Sequence, residues 1–543
     1  MSLSKSAGKH RSLVFYNRVF LYFIVFFLIL AGVKANANEI SADNIIIDSV
    51  VIENGNIFDL SQPENSGILY RLANKFHIVT KKSVIERELL IREGDRFSRE
   101  IADETERNLR ALPYLWNARL SLDKSDEGDN ILRVETSDRW TLAGGPSMSR
   151  VSGQTIYQIG FEELNFLGYG QHLTFDYFIR EYKEDYATAS FLERRLLGSR
   201  YQIYGYYNDD PEVGLKSVSL TRPLYSLNSR FGYGISFTDI DRQDKYHLSG
   251  IEVANNQYAG QVFSFSSTYR FGTYNSKVSF GAGYSYRDIN IHDRRILPGI
   301  TVSFPSDSLC HGLSASLGIT NLRYIKTRHI NNFSKIEDFA ISTGAGVGFG
   351  WIYDASSGDR MYRTVSFSVS HSAHYKSSLL FFSFSRGCWF DGETDFRKTF
   401  SVSIKYYNNG MDWLTPSIFG LYAEDDRRDG RLGLNLGENS GIRGFPEYHA
   451  QGERLARLNV ENRIFTGLSL LTTEFGLVQF VDLGNVWRKG EEPRFKDILW
   501  SVGLGLRIGT DRVSNAELVR IDLAYAGNIK EWQISFGVGQ YLL

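Results

Sequence analysis

The stretch SGIRGFPEYHAQGE, Ser440 to Glu453, sets one arginine, Arg443, between Ile442 and Gly444, with Phe445 and Pro446 directly after it. A planar guanidinium grips carboxylates through paired, charge-assisted hydrogen bonds. Gly441 and Gly444 let the backbone reverse on either side of the arginine. The acids that can answer it follow in the chain: Glu461 and Asp482 lie in the next two alternating segments, each on the polar side, and Gly484 shares that side with Asp482. The loop from Glu424 to Glu453 is far longer than an ordinary connection, and such loops are usually functional or disordered. The expectation is a loop folded inward, with Arg443 facing Glu461 and Asp482 and Phe445 wedged against Phe480, the one aromatic on the polar face.

Nothing else points to covalent chemistry. The sequence has no Gly-x-Ser-x-Gly elbow, no His-Glu-x-x-His and no Cys-x-x-Cys. His371 and His374 sit three apart in an alternating segment, hence on opposite faces, which does not make a shared metal site. Cys310 and Cys388 are far apart and read as strand residues whose pairing stays open. No catalytic residue, metal or cofactor is expected, and the chain reads as a non-enzyme.

The elements that must position Arg443 are strands. From about Tyr157 to the C-terminus apolar and polar or small residues alternate in segments such as HLTFDYFI, KVSFGAGYSY and WSVGLGLRIG, separated by turns rich in Gly, Asn, Asp and Ser. Leu458, Val460 and Ile464 share a face, as do Phe475, Leu477, Val481 and Leu483, Trp500, Val502 and Leu504, Val519, Ile521 and Leu523, and Trp532, Ile534 and Phe536. The opposite faces carry both charge signs and many glycines. Trp487, Trp500, Tyr525 and Trp532 stand where an interfacial girdle would. No segment after the N-terminal region has the unbroken apolar run of a membrane-spanning helix, so the pattern is that of an all-β transmembrane barrel over 150–543, with about 16 antiparallel strands if each takes about 24 residues with its connection. TIYQIGFEELN reads as its first strand and EWQISFGVGQYLL as its last, with Gln540 breaking the apolar phase between Val538 and Leu542. In NFLGYG, Gly168 and Gly170 permit a tight reversal, with Asn165 and Leu167 beside them.

Residues 44–138 read differently. IIIDSVVI, WNARLSLD and NILRVETSD are strand-like, and KKSVIERELL and SREIADETERNLRAL are helix-like, a small β-α-α-β-β module. Ile101, Leu109 and Leu112 share a face of the second helix, and Ser98 with Glu100 supplies its cap.

Residues 1–37 hold five basic and no acidic residues, a short apolar core and Ala35-Asn36-Ala37, the pattern of a cleaved secretory signal. Their removal leaves 56 basic against 62 acidic residues, a formal charge of −6, which argues against a nucleic-acid partner.

The export signal, the β-α-α-β-β module, ELNFLGYGQ, GIRGF in a long late loop and FVDLG on a late strand together resemble the bacterial outer-membrane assembly and secretion superfamily that includes BamA, TamA and the two-partner-secretion transporters. The resemblance makes 44–138 a single polypeptide-transport-associated (POTRA) domain in the periplasm and NFLGYG (Asn165, Leu167, Gly168, Gly170) the motif of the first barrel hairpin. It lodges an arginine-glycine-aromatic tip (Arg443, Gly444, Phe445) inside the barrel against acids matching Glu461 and Asp482, with Gly484 nearby. It implies an outer-membrane protein whose partners are client outer-membrane or secreted polypeptides, the lipid bilayer and periplasmic accessory proteins, with a seam between first and last strands. The expected role is an accessory factor for insertion or translocation; a dedicated secretion transporter and a passive porin-like channel are the alternatives.

Overall fold

The computed structural model describes residues 42–541 apart from 152–153, 182, 249–250, 299–306, 357, 393, 429–431, 511 and 515–517. The signal-peptide reading of 1–37 and the terminal Leu542 and Leu543 lie outside the described residues.

The N-terminal module is built from β1 (Ala42–Ile46), β2 (Ser49–Gly55), α1 (Ile68–Phe76), α2 (Lys82–Glu86), β3 (Arg96–Ser98), α3 (Arg99–Arg110), β4 (Leu115–Lys124) and β5 (Asn130–Asp138). β5 pairs in parallel with β2 and antiparallel with β4, while β1 and β3 form a separate pair. α3 packs on the larger sheet through one side: Leu109, with Leu112 just past the helix end, joins Val84, Ile85, Leu115, Leu120, Leu132 and Val134 in one core, with Ile101 against it. The Ser98 hydroxyl accepts from the Ile101 N–H at the start of α3 and donates to Glu100. α1 escaped the periodicity reading because its apolar residues face outward, away from this core.

The rest of the chain is a single antiparallel sheet of twenty strands in sequence order, and that order closes on itself from the Glu531–Val538 strand back to the Leu142–Val151 strand. The count exceeds the sixteen expected because the early strands and turns are short: His172–Arg180 is followed by Tyr186–Glu193 and then Gln202–Asn208. The first strand is Leu142–Val151, ahead of the TIYQIGF segment, and NFLGYG therefore joins the second and third strands rather than closing the first hairpin. Gly144, Gly145 and Pro146 interrupt the alternation that would have revealed it.

Outward and inward faces follow the predicted phase. Leu458, Val460, Leu477, Val481, Val502 and Leu523 are exposed, whereas Asn459, Glu461, Asp482, Ser501 and Asp522 are buried. Trp500, Tyr525 and Trp532 form a continuous aromatic row on neighbouring strands, with centroids 6.2 and 5.1 Å apart. Cys310 and Cys388 are free thiols on separate strands.

The module sits across turns at one end of the sheet. The Lys81 N–H donates to the Gly168 carbonyl at 3.0 Å, and Asn165 Nδ2 donates to Thr80 Oγ1 at 2.8 Å. Glu88 pairs with Arg195, Arg110 with Asp338 at 2.8 Å, and Glu104 accepts the Leu227 N–H at 2.6 Å. Glu106 accepts from Lys326 at 2.6 Å, from the Leu120 N–H at 2.9 Å and from Arg110 at 3.3 Å. Burial pushes the Glu106 carboxyl up, but the Leu120 N–H, Lys326 and Arg110 outweigh it and hold the group below its ordinary 4.5. The share of that depression owed to Lys326, which lies on the sheet, stabilises the docked state above the unperturbed pKa and fades as pH falls through the lowered value. A fluorescence-transfer pair spanning module and turns should therefore report a closed distance at neutral pH and a longer one below pH about 4.5, and Glu106→Gln should flatten that transition.

Candidate functional site

The long loop enters the interior as a small hairpin, Leu434–Leu436 against Ala450–Gly452, with a knot at its tip. Within the knot the Ile442 N–H donates to the Gly437 carbonyl at 3.1 Å, Glu438 N to the Phe445 carbonyl at 3.0 Å, and Gly444 N to Glu438 Oε2 at 2.9 Å. Gly441 and Gly444 have φ of 110° and 85°, which side chains disfavour. The tip reaches the strands because they leave room: a β-carbon at Gly484 would lie 2.6 Å from Ile442 Cδ1 and 2.9 Å from Leu436 Cδ1.

Arg443 is fully buried. Its Nε and Nη2 donate to the two oxygens of Asp482 at 2.8 Å each, and its own backbone N–H donates to Asp482 Oδ2 at 3.1 Å. Nη1 lies 2.8 Å from Glu461 Oε1 and 3.8 Å from Asp522 Oδ2. The Glu461 contact is an ion pair outside hydrogen-bond alignment, since neither atom has a hydrogen-bond partner. The guanidinium carbon also sits 3.6 Å from the centroid of Phe480 and 4.3 Å from that of Tyr541.

Each acid is held in turn. Asn459 Nδ2 donates to Asp482 Oδ1 and to the Gly441 carbonyl, both at 2.8 Å, tying strand to loop. Arg463 Nε donates to Glu461 Oε2 at 3.0 Å, and Arg507 and Arg520 donate to Asp522 at 2.6 and 3.0 Å. Charges this deep are tolerated only when paired and hydrogen-bonded together.

Arg443, Glu461 and Asp482 thus come together, and Gly444 and Gly484 give the tip its close approach. Phe445 differs from expectation. It packs with Ile442, Leu436, Leu455 and Ala526, and lies tilted against His449 at 4.9 Å, while Phe480 takes the arginine instead. Asp522, Asn459 and Tyr541 were not foreseen as partners, although Asp522 shares the polar phase of Asp482. The strand phase of the C-terminus also breaks: pairing ends at Val538, Gly539 has φ of 75°, and Gln540 turns inward to accept from Arg507 Nε at 3.1 Å. Tyr541 OH donates to the Glu438 carbonyl, joining the chain's end to the loop tip.

The residues of NFLGYG are at a different place, the junction with the module. Asn165 Oδ1 accepts the Gly170 N–H at 2.8 Å while its Nδ2 donates to Thr80. Leu167 has φ of 51°, and β-carbons at Gly168 and Gly170 would meet the Val79 carbonyl oxygen and Tyr114 OH at 2.7 and 2.8 Å. The same turn recurs at Arg195, Leu197 and Gly198, where Leu197 has φ of 50° and Gly198 of 76°. In both copies the glutamate two residues earlier, Glu163 or Glu193, accepts the N–H of Asn165 or Arg195, at 2.7 and 2.8 Å.

No family model matches the chain, and no curated protein matches it. Among solved structures it is similar to BamA from Haemophilus ducreyi lacking POTRA domains 1–3, at 15% identity over 92% of this chain and 85% of that one, with a TM-score of 0.34. It is also similar to CdiB from Acinetobacter baumannii, at 12% identity over 91% and 74% of the two chains with a TM-score of 0.41, and to CdiB from Escherichia coli, at 11% over 91% and 75% with a TM-score of 0.43. With overlaps this loose, function is read from the residues of the site.

Arg443→Ala would leave Asp482 buried without its cation and Glu461 with Arg463 alone, a loss of about 3–5 kcal/mol for a broken buried pair. The variant should lose the faster gel migration of the unheated, folded form at a lower temperature than the parent. Arg443→Lys, keeping charge but losing the paired contact with Asp482, should fall between them.

Proposed function

We propose that this chain is an outer-membrane barrel that assembles or translocates polypeptides, acting through a lateral seam, with its single POTRA-like module in the periplasm. The observation that carries the reading is the inward loop: a fully buried arginine answered by Asp482, Glu461 and Asp522 from three of the last five strands. The latch ties the lumen loop to the strands next to the C-terminus, beside the edge where a seam would open. The apolar outward face and the aromatic row suit a bilayer.

The seam reading is supported by exposure on the last strand. Trp532, Ile534, Phe536 and Val538, four successive outward positions, are 58–72% exposed, against about 40% for Val481, Val502 and Leu523 and single values of 60 and 62% at Leu313 and Leu504 within the sheet. Four such positions in a row are what a strand with one thinly covered edge would show. Such an edge accepts an added strand through its backbone groups.

Secretion through the lumen is the second reading. It is favoured by the wall where Ser316, Gly346, Gly348, Ser366, Ser368 and Ser385 line an open cavity that Arg386 and Trp389 border. Photocrosslinkers at Ser147 on the first strand and Gln533 on the last distinguish these cases in living cells. Insertion predicts adducts to other outer-membrane proteins from both positions. Adducts confined to a probe at Ser368 support secretion, and no polypeptide adduct together with steady open conductance supports a passive channel and refutes the proposal.

A further inference from the structure

α1 is mounted the wrong way round for a helix of a soluble domain. Its polar side is the one fixed to the module: Asn74 Nδ2 donates to the Phe58 carbonyl at 2.7 Å, Asn74 Oδ1 accepts the Phe58 N–H at 3.1 Å, and Tyr70 packs edge-on against Phe58 at 4.8 Å. Ile68, Leu69, Leu72 and Phe76 fall within one narrow sector of the helix and are 67, 58, 41 and 69% exposed. An amphipathic helix on a water-soluble domain turns that sector inward. Here the two hydrogen bonds of the Asn74 side chain and the Tyr70 ring contact hold it outward.

Two features identify what meets this sector. The first is position. Leu72 and Phe76 share a cavity of about 420 Å³ with Trp140, just ahead of the first strand, and with Thr472 and Arg512 from two turns of the sheet. Thr472 belongs to the hairpin whose Leu468, Leu470 and Leu471 are also strongly exposed, at the end of the strand that carries Leu458 and Val460 on its outward face. The apolar helix sector therefore continues the outward rim of the sheet. The second is charge. Arg71 and Lys75 border the sector, Lys81 and Lys82 follow, and no acid lies between Ile68 and Lys82. Apolar sector, adjoining cations and a polar opposite side are the properties of a helix that lies in a lipid interface.

We propose that α1 inserts its Ile68, Leu69, Leu72 and Phe76 face into the near leaflet of the bilayer beside the sheet's rim, with Arg71 and Lys75 on anionic headgroups. This rests on the outward face of the sheet lying in lipid. The contact would hold the module at the membrane surface close to the first and last strands, where an extended polypeptide would approach the seam.

The test uses the full chain with Cys310→Ser and Cys388→Ala, reconstituted into phosphatidylethanolamine and phosphatidylglycerol vesicles whose acyl chains are brominated. An environment-sensitive fluorophore is attached at Leu72→Cys, with Ile68→Cys as a second position, at Leu504→Cys on the outward face of the sheet, and at Asp126→Cys on the far turn of the module. The expected result is quenching at 72 and 68 of at least half that at 504, none at 126, and a clear reduction at 72 when Arg71 and Lys75 are both changed to Glu. Quenching at 504 with none at 72 and 68 overturns this inference and leaves the membrane reading standing. No quenching at 504 overturns the membrane reading and this inference with it. A label at 72 that brominated lipid does not reach, and that an added unfolded outer-membrane polypeptide shields from aqueous iodide, assigns the face to clients and also overturns it.

Discussion

A guanidinium with no access to water must be neutralised where it lies, and Arg443 is neutralised by side chains from three strands at once. Asp482 takes two of its nitrogens and its backbone N–H, Glu461 lies at 2.8 Å and Asp522 at 3.8 Å. The strands of Glu461, Asp482 and Asp522 must therefore keep one register, because a slip by one residue would turn the acid to the outward face and leave the cation unpaired. The loop tip, its two positive-φ glycines and the bare Gly484 beneath it all follow from that constraint.

The constraint reaches the end of the chain. Gln540 and Tyr541 leave the last strand and turn inward, Gln540 to Arg507 and Tyr541 to the loop backbone at Glu438 and to the face of Arg443. Loop position and last-strand position are thus mechanically joined. At the other end the module is fixed to the sheet turns through Glu88, Glu106, Arg110 and the two copies of the Leu-Gly turn. The Asn165 and Arg195 copies differ in how they dock, one by a neutral hydrogen bond to Thr80 and the other by an ion pair with Glu88.

Where side-chain phase decides structure, the sequence was readable. Glu461, Asp482, Phe480 and the outward apolar rows all lie on the faces that period-two alternation assigns them. Where the backbone departs from an ideal strand, it was not. Gly144, Gly145 and Pro146 hid the first strand, the short early hairpins carried the count further past the sixteen expected, and positive φ at Gly539 turned Gln540 and Tyr541 away from the phase that their spacing implies. Asp522 had the right phase and the right type, but with Glu461 and Asp482 already named, nothing local marked it as a third partner. α1 was missed for a physical reason: its apolar sector packs on no core within the module, so core-directed periodicity does not find it.

The central claim is that Arg443 and the strand acids act as one unit, and a double-mutant cycle between Arg443→Ala and Asp482→Ala measures it directly through urea unfolding of the reconstituted chain. A coupling of about 1–3 kcal/mol is predicted, with the double variant far less destabilised than the sum of the singles. Effects that add to within about 0.5 kcal/mol would contradict the latch and return the loop to a solvated extension of the sheet.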